Sequence, residues 1–201
     1  MTTSTHESPL IGGRLAVDLA NACQAPSELS WDRLIHFLET AKIISPDRSS
    51  QLLVLPESDS AAAESLLRKA RRLCASTRLI FSALVRKQKI APEWIEPINE
   101  VLRITEGHDE LTQRAGNWQI EFIAREGGLE WLLAAIARSA ADIVAEGPEA
   151  RVRVCANSGC GLFFYDESRT HRRRWCSMAV CGNRSKVAAF ARKHASSSRV
   201  M

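Results

Sequence analysis

Apolar side chains recur at spacings of three and four from about Ala61 to Lys89. Leu66, Ala70, Leu73, Thr77, Ile80 and Leu84 form one stripe, and Leu67, Cys74, Phe81 and Val85 widen it. That period predicts a long amphipathic helix. Its other face carries Arg68, Lys69, Arg71, Arg72, Arg86 and Lys87. Ser30 precedes a second helical stretch, Trp31 to about Ile44, with Leu34, Ile35 and Leu38 on one face and Pro46 after its end. Residues 45–60 read as polar and turn-rich. A third helix is expected from Pro92 to Thr105, since proline suits a first helical turn. A fourth opens at Gly127-Gly128 with Leu129, Leu132, Leu133, Ile136, Ala140 and Ile143 on its apolar face, and Gly147-Pro148 ends it. Trp118, Ile120 and Phe122 alternate with polar residues after the turn-like Ala115-Gly116-Asn117, which predicts a β-hairpin over residues 109–123. Leu15, Val17 and Leu19 fit a short strand by alternation and a helix by the Leu15, Asp18, Leu19 spacing.

The pattern changes after Gly147-Pro148. Arg151-Val152-Arg153-Val154 alternates, Leu162 to Tyr165 is an apolar, aromatic strand candidate, and a helix is expected from about Gly182 to His194. On that helix Asn183, Val187, Phe190, Ala191 and His194 share a face, which is expected to pack on the core of the C-terminal part. Lys186 and Lys193 lie together on the opposite side, with Arg192 beside Ser185. The expected fold is α+β: a mainly helical body with a β-hairpin over residues 1–147, then a small treble-clef-like module over 148–201.

With 201 residues, the chain is long enough for one domain with a full core plus a small module. The longest apolar stretch, Trp131 to Ala137, is too short to span a bilayer. The N-terminus has neither a basic nor an apolar signal region, so a cytoplasmic protein is expected. Charge is unevenly distributed. Residues 151–201 hold eleven Lys/Arg against Asp166 and Glu167, a net of +9, whereas the first 150 residues hold sixteen basic and twenty-one acidic residues, a net of −5. A mildly acidic body thus carries a strongly basic tail, which points to a polyanionic partner for the tail.

Four of the six cysteines lie in that tail, as Cys155-x4-Cys160-x15-Cys176-x4-Cys181. Two close pairs joined by a returning segment are the layout of a four-thiolate structural zinc site, with spacers at the long end of the usual range. Asn157-Ser158-Gly159 and Gly161 supply the backbone freedom a metal knuckle needs. Fifty residues bury little apolar surface, and a metal supplies what the small core lacks. The alternatives are four ordinary buried cysteines, two disulfides, or His171 in place of one cysteine. Four thiolates leave no open position for water, so one Zn2+ would be structural, and a strong chelator is expected to unfold residues 150–195.

The run from Cys155 to Gly161, then Phe164-Tyr165-Asp166-Glu167-Ser168-Arg169, then Arg172 to Arg184 resembles the CGNR zinc finger over about residues 150–194. Its name-giving residues stand here as Cys181, Gly182, Asn183 and Arg184. In that family the finger usually follows an ABATE domain, and Asp18 and Asn21 match that domain's Asp-x-x-Asn, while Ala20 and Ala22 depart from its usual residues. The resemblance implies a stress-linked transcription regulator.

Arg169, Arg172, Arg173 and Arg174 precede Cys176, and arginine forks suit phosphates and guanine edges. With Lys186, Arg192 and Lys193 they are the candidate nucleic-acid contacts. Asn183 is expected to bond backbone near the metal, with Arg184 beside it. Asp18 and Asn21 are read either as a turn or helix cap or as a ligand-facing pair. Trp31, Trp94, Trp118 and Trp131 are read as core or as pocket lining. Cys74 lies on the apolar stripe, and neither it nor Cys23 has a base nearby in sequence. No catalytic constellation is visible. The favoured expectation is a DNA-binding regulator whose body senses a small effector or dimerises. The alternatives are an RNA- or protein-interaction module and an enzyme with its site in the body.

Overall fold

The computed structural model describes residues 10–23, 25–104, 107–114, 117–124 and 128–197. Within them the body is helical apart from one hairpin. Helix α1, Leu15–Ala22, resolves the ambiguous stretch as a helix. Ala16, Val17, Leu19 and Ala20 are fully buried, so the helix is covered all round and its sequence lacks the polar face that would have announced it. Helix α2, Trp31–Thr40, starts at Ser30, whose hydroxyl accepts the Arg33 N–H at 3.3 Å. The polar stretch that follows is not a loop. It forms α3, Pro46–Leu53, and α4, Leu55–Ser58. Ser45 caps α3 and Pro46 opens it, a start signal that the polar composition obscured.

Helix α5, Ser60–Val85, is the axis of the body. Leu66, Ala70, Leu73, Thr77 and Ile80 are buried along one stripe, as its period predicts. Several basic residues of its outer face are tied down: Lys69 pairs with Glu130 at 2.6 Å, Arg72 with Glu100 at 2.6 Å, and Arg71 donates to the Leu29 carbonyl at 2.9 Å. A short 3-10 turn at Pro92–Trp94 leads into α6, Glu96–Ile104. Strands β1, Gly107–Arg114, and β2, Asn117–Ala124, pair antiparallel with Arg114 opposite Asn117. The hairpin is thus present and slightly longer than expected. The Trp118 side chain lies outside the described residues. Helix α7, Ala134–Ala145, follows a 3-10 turn at Glu130–Leu133 and packs against α1 and α6. Trp31 is core, its indole N–H donating to the Leu52 carbonyl at 2.8 Å. Trp94 and Trp131 lie half-buried against the same core.

The C-terminal part consists of β3, Val152–Val154, β4, Phe163–Tyr165, a wide π turn at Met178–Gly182, and α8, Asn183–Ser197. Strands β3 and β4 pair antiparallel, and α1 and α5 pack against them. Val152, Phe163 and Tyr165 join the core of the body, whereas Leu162 and Phe164 join the cysteines in a second, small core. Alternation along β4 therefore sends successive side chains into two different cores.

Candidate metal centre

The first cysteine pair sits in the bend between β3 and β4. Cys155 N–H donates to the Leu162 carbonyl at 2.9 Å, and Cys160 N–H donates to the Asn157 carbonyl at 2.9 Å. The Asn157 side chain accepts Gly159 N–H at 3.2 Å, and Gly161 turns the chain in the left-handed region at φ 68°. Of the second pair, Cys176 precedes the π turn and Cys181 lies within it. Ser177 opens it, its hydroxyl accepting Val180 N–H, and its carbonyl accepts Cys181 N–H at 2.9 Å and Gly182 N–H at 3.0 Å. The wider turn brings Cys176 and Cys181, five residues apart, to 3.7 Å between sulfurs. A backbone bond helps tie the two halves: Ala156 N–H donates to the Arg174 carbonyl at 2.8 Å.

All four sulfurs lie within 4.8 Å of one another, with Cys160 and Cys176 at 3.6 Å. A tetrahedral zinc with bonds of about 2.3 Å places its sulfurs about 3.8 Å apart, so the donor set fits the ion. Disulfides are a poorer account of the cluster, because covalently bonded sulfurs approach to about 2.0 Å. His171 is an exposed loop residue and stands outside the cluster. Burial and the neighbouring thiols push the Cys176 thiol well up, while at Cys155 burial is outweighed by backbone N–H groups of Cys176 and Asn157, and the thiol is lowered. Four crowded thiols resist joint ionisation unless a cation is shared among them. Such an ion would lock the chain's shape, and it has no vacant position for a substrate.

Each of the CGNR positions has a distinct place. Cys181 and Gly182 are buried. A side chain at Gly182 would meet Met178 Sδ at 2.8 Å and Trp175 Cδ1 at 3.3 Å, so both neighbours would have to shift. Asn183 donates from Nδ2 to the Ala179 carbonyl at 3.1 Å, inside the turn that carries Cys181. Arg184 is exposed. Trp175 is half-buried on the small core.

The loop between β4 and Cys176 is organised by a residue that the basic composition of the tail conceals. Asp166 is fully buried. Its carboxylate accepts the Ser168 N–H at 3.1 Å, the Ser168 hydroxyl at 2.6 Å and the Arg173 N–H at 3.1 Å, and pairs with Arg153 at 3.2 Å. Burial would lift its pKa, but Ser168, Arg173 and Arg153 outweigh it and hold the carboxyl below its ordinary value.

Arg173 departs from the sequence reading. Its guanidinium lies 4.8 Å over the Phe164 ring and donates to the carbonyls of Trp175 at 2.9 Å, Ile11 at 3.5 Å, and Cys176. These bonds make it a brace for the loop. Arg169, Arg172 and Arg174 are exposed, with Arg174 stacked 5.3 Å over Trp175. Lys186 is exposed on α8, while the Arg192 and Lys193 side chains lie outside the described residues. A further correction concerns the face of α8 expected to pack on the module core. Val187 is 70% exposed and Phe190 66%, with Met178 and Val180 also exposed. The small core consists of the four cysteines, Leu162 and Phe164, with Ile11 and Trp175 packed against it, and includes no side chain of α8 among the described residues.

Asp18 and Asn21 join the two parts of the chain. Asp18 accepts Gly12 N–H at 2.7 Å, and the Gly12 carbonyl accepts Tyr165 N–H at 2.7 Å. Asn21 donates from Nδ2 to the Phe163 carbonyl and accepts Phe163 N–H, both at 2.8 Å, as a neighbouring strand would. These bonds occupy the polar atoms that the ligand-facing reading offered to an effector. Their spacing of three within a buried helix signals polar partners, since buried polar groups are paired. It could not name partners 142 residues away. Burial pushes the Asp18 carboxyl up to about 6, against the N–H groups of Gly12 and Ile11. Cys23 and Cys74 are both buried, and Cys74 donates weakly to the Cys23 carbonyl at 3.5 Å.

Among the described residues, no helix is long and apolar enough to cross a membrane. Comparison with curated proteins gives no match. Two families do match. The CGNR zinc finger covers residues 151–194, the segment that holds the four cysteines. ABATE, described as "putative stress-induced transcription regulator", covers residues 13–147, the helical body with its Asp18 and Asn21. With two thirds of its length matched by the one and the metal centre by the other, the chain belongs to the ABATE family and carries a CGNR zinc finger.

Proposed function

We propose that the protein is a DNA-binding transcription regulator in which one structural Zn2+, held by Cys155, Cys160, Cys176 and Cys181, shapes a basic surface. The observation that carries this reading is the arginine loop. Buried Asp166 and braced Arg173 fix its backbone from below, and Arg169, Arg172 and Arg174 stand exposed above it. A loop held in this way presents guanidinium groups at low entropic cost to a phosphate backbone. Lys186 extends the basic surface onto α8, and Arg192 and Lys193 continue it along the sequence of that helix. The family description supports transcription as the setting. A small finger reads few bases, so a long operator calls for a homodimer. The protein has no catalytic role in this reading, because a closed four-thiolate shell activates no water.

Binding to DNA fragments across a salt series tests it. Four to six phosphates neutralised give a slope of log K against log[salt] of about −3.5 to −5.5. Changing Arg169, Arg172 and Arg174 together to Ala reduces the steepness by about two to three, roughly one for each phosphate left without its arginine. Absence of binding at low salt, a salt-insensitive complex, or tighter binding to RNA of the same length overturns the reading.

A further inference from the structure

A groove of about 940 Å³ runs along the seam between the body and the hairpin of the finger. Its apolar lining comes from both sides: Leu84 and Val85 at the end of α5, and Val152 and Val154 on β3. Val85 is 36% exposed and Val154 40%, so apolar surface faces the groove without a cover. Basic groups gather on the finger side. Arg151 places its guanidinium 3.1 and 3.2 Å from the two ring nitrogens of His171, and Arg174 lies on the same wall. The acids on the wall, Glu146 and Glu149, are fewer, and Glu146 accepts the Tyr165 hydroxyl. His171 is held in the left-handed region at φ 50°, where a non-glycine residue is strained, and Arg153 donates to its carbonyl at 2.6 Å.

Exposed valines beside basic side chains suit one class of ligand. A bare phosphate has no use for the valines, and a DNA backbone does not need them. We propose that this groove binds an amphipathic organic anion, a short apolar chain or ring carrying a phosphate or carboxylate head. The head sits at Arg151 and His171, and the apolar part lies along Val85 and Val154. The volume lies within the range of small-molecule sites, which favour boundaries between structural units. Because His171 and Arg174 belong to the arginine loop, an occupant would report to the proposed DNA surface. That consequence rests on the DNA reading, while the binding itself does not.

Calorimetric titration of the zinc-loaded full chain with octyl phosphate, octanoate and inorganic phosphate tests the proposal, with the octyl compounds kept below micelle formation. At least one octyl compound is expected to bind at least tenfold more tightly than inorganic phosphate, and which one does identifies the head. Arg151→Met and Val85→Glu, placed on opposite walls, are each expected to weaken it at least tenfold at unchanged zinc content and melting temperature. Either variant that fails to fold is replaced by Val154→Glu. No binding, equal binding of inorganic phosphate, or variants that bind like the parent chain overturn the proposal. DNA binding, measured separately on the same variants without octyl compound, is expected to change less than threefold. A tenfold loss there would make the groove part of the DNA track and also overturn it.

Discussion

The two halves of the zinc finger are held by different means. The hairpin β3–β4 is fused to the body. Phe163 packs edge-on against Phe81 at 6.0 Å, Tyr165 is fully buried, and Asn21, Gly12 and Arg78 reach the hairpin from the body. The second half, the π turn and α8, meets the first through the sulfurs, the bond from Ala156 to Arg174, and the Arg173 brace. Its apolar side chains Val187, Met178 and Val180 are exposed. One sequence family unit is therefore physically two: a hairpin stabilised by apolar burial, and a helix joined to it through the four-cysteine cluster.

Metal removal gives the largest expected effect. Apparent zinc-binding energies in small structural sites reach about 10–16 kcal/mol. A strong chelator should release about one zinc per chain and abolish amide protection from the arginine loop through α8. The amides of Phe163 and Tyr165, bonded to Asn21 and Gly12, should keep theirs in hydrogen exchange. This narrows the unfolding of residues 150–195 expected from the sequence. Equal loss in both halves would show that the finger is a single unit after all.

Apolar truncation probes the same contrast from the other side. Phe163→Ala empties a site shared with Phe81 and should cost about 3–5 kcal/mol in urea unfolding. Asn21→Ala leaves both backbone groups of Phe163 unpaired in a buried site and should cost about 2–4 kcal/mol. Val187→Ala on the exposed face of α8 should change stability by less than about 0.5 kcal/mol. A large loss at Val187 would mean that a partner or a second copy covers α8 in solution.

Two buried carboxyls at the seam should respond to pH with opposite signs. Asp18 is raised in the folded chain, from 3.8 to about 6. Its contribution is therefore complete below the unfolded value and is lost as pH rises through about 6. Asp166 is lowered, so its contribution is present above the unfolded carboxyl value and is lost as pH falls through the folded one. Asp18→Asn should flatten the decline between pH 4 and 6, a change of at most about 3 kcal/mol. Asp166→Asn should remove the acid-side loss and cost about 1–3 kcal/mol at neutral pH. Unfolding free energies across pH check both, and a profile untouched by Asp18→Asn would place that carboxyl in water.

How much was legible in the sequence follows from how local each feature is. The four-cysteine cluster was readable because metal-site chemistry depends on residue type and short spacing, and both are written along the chain. The long helix α5 was readable because one solvent-facing side keeps its period visible. Helix α1 was ambiguous because it is covered on every side, and α3 and α4 were missed because their caps sit in polar composition. Periodicity on α8 showed that an apolar stripe exists, but not whether anything covers it, and the small core includes no residue of that stripe among the described residues. Asp18 and Asn21 displayed polar groups on a buried face, yet their partners Gly12 and Phe163 were set by folding. Arg173 and Arg174 are adjacent and identical in type. Only the tertiary structure decided that one braces carbonyls from within while the other faces solvent, because that depends on which backbone groups the cysteine cluster and the hairpin bring within reach.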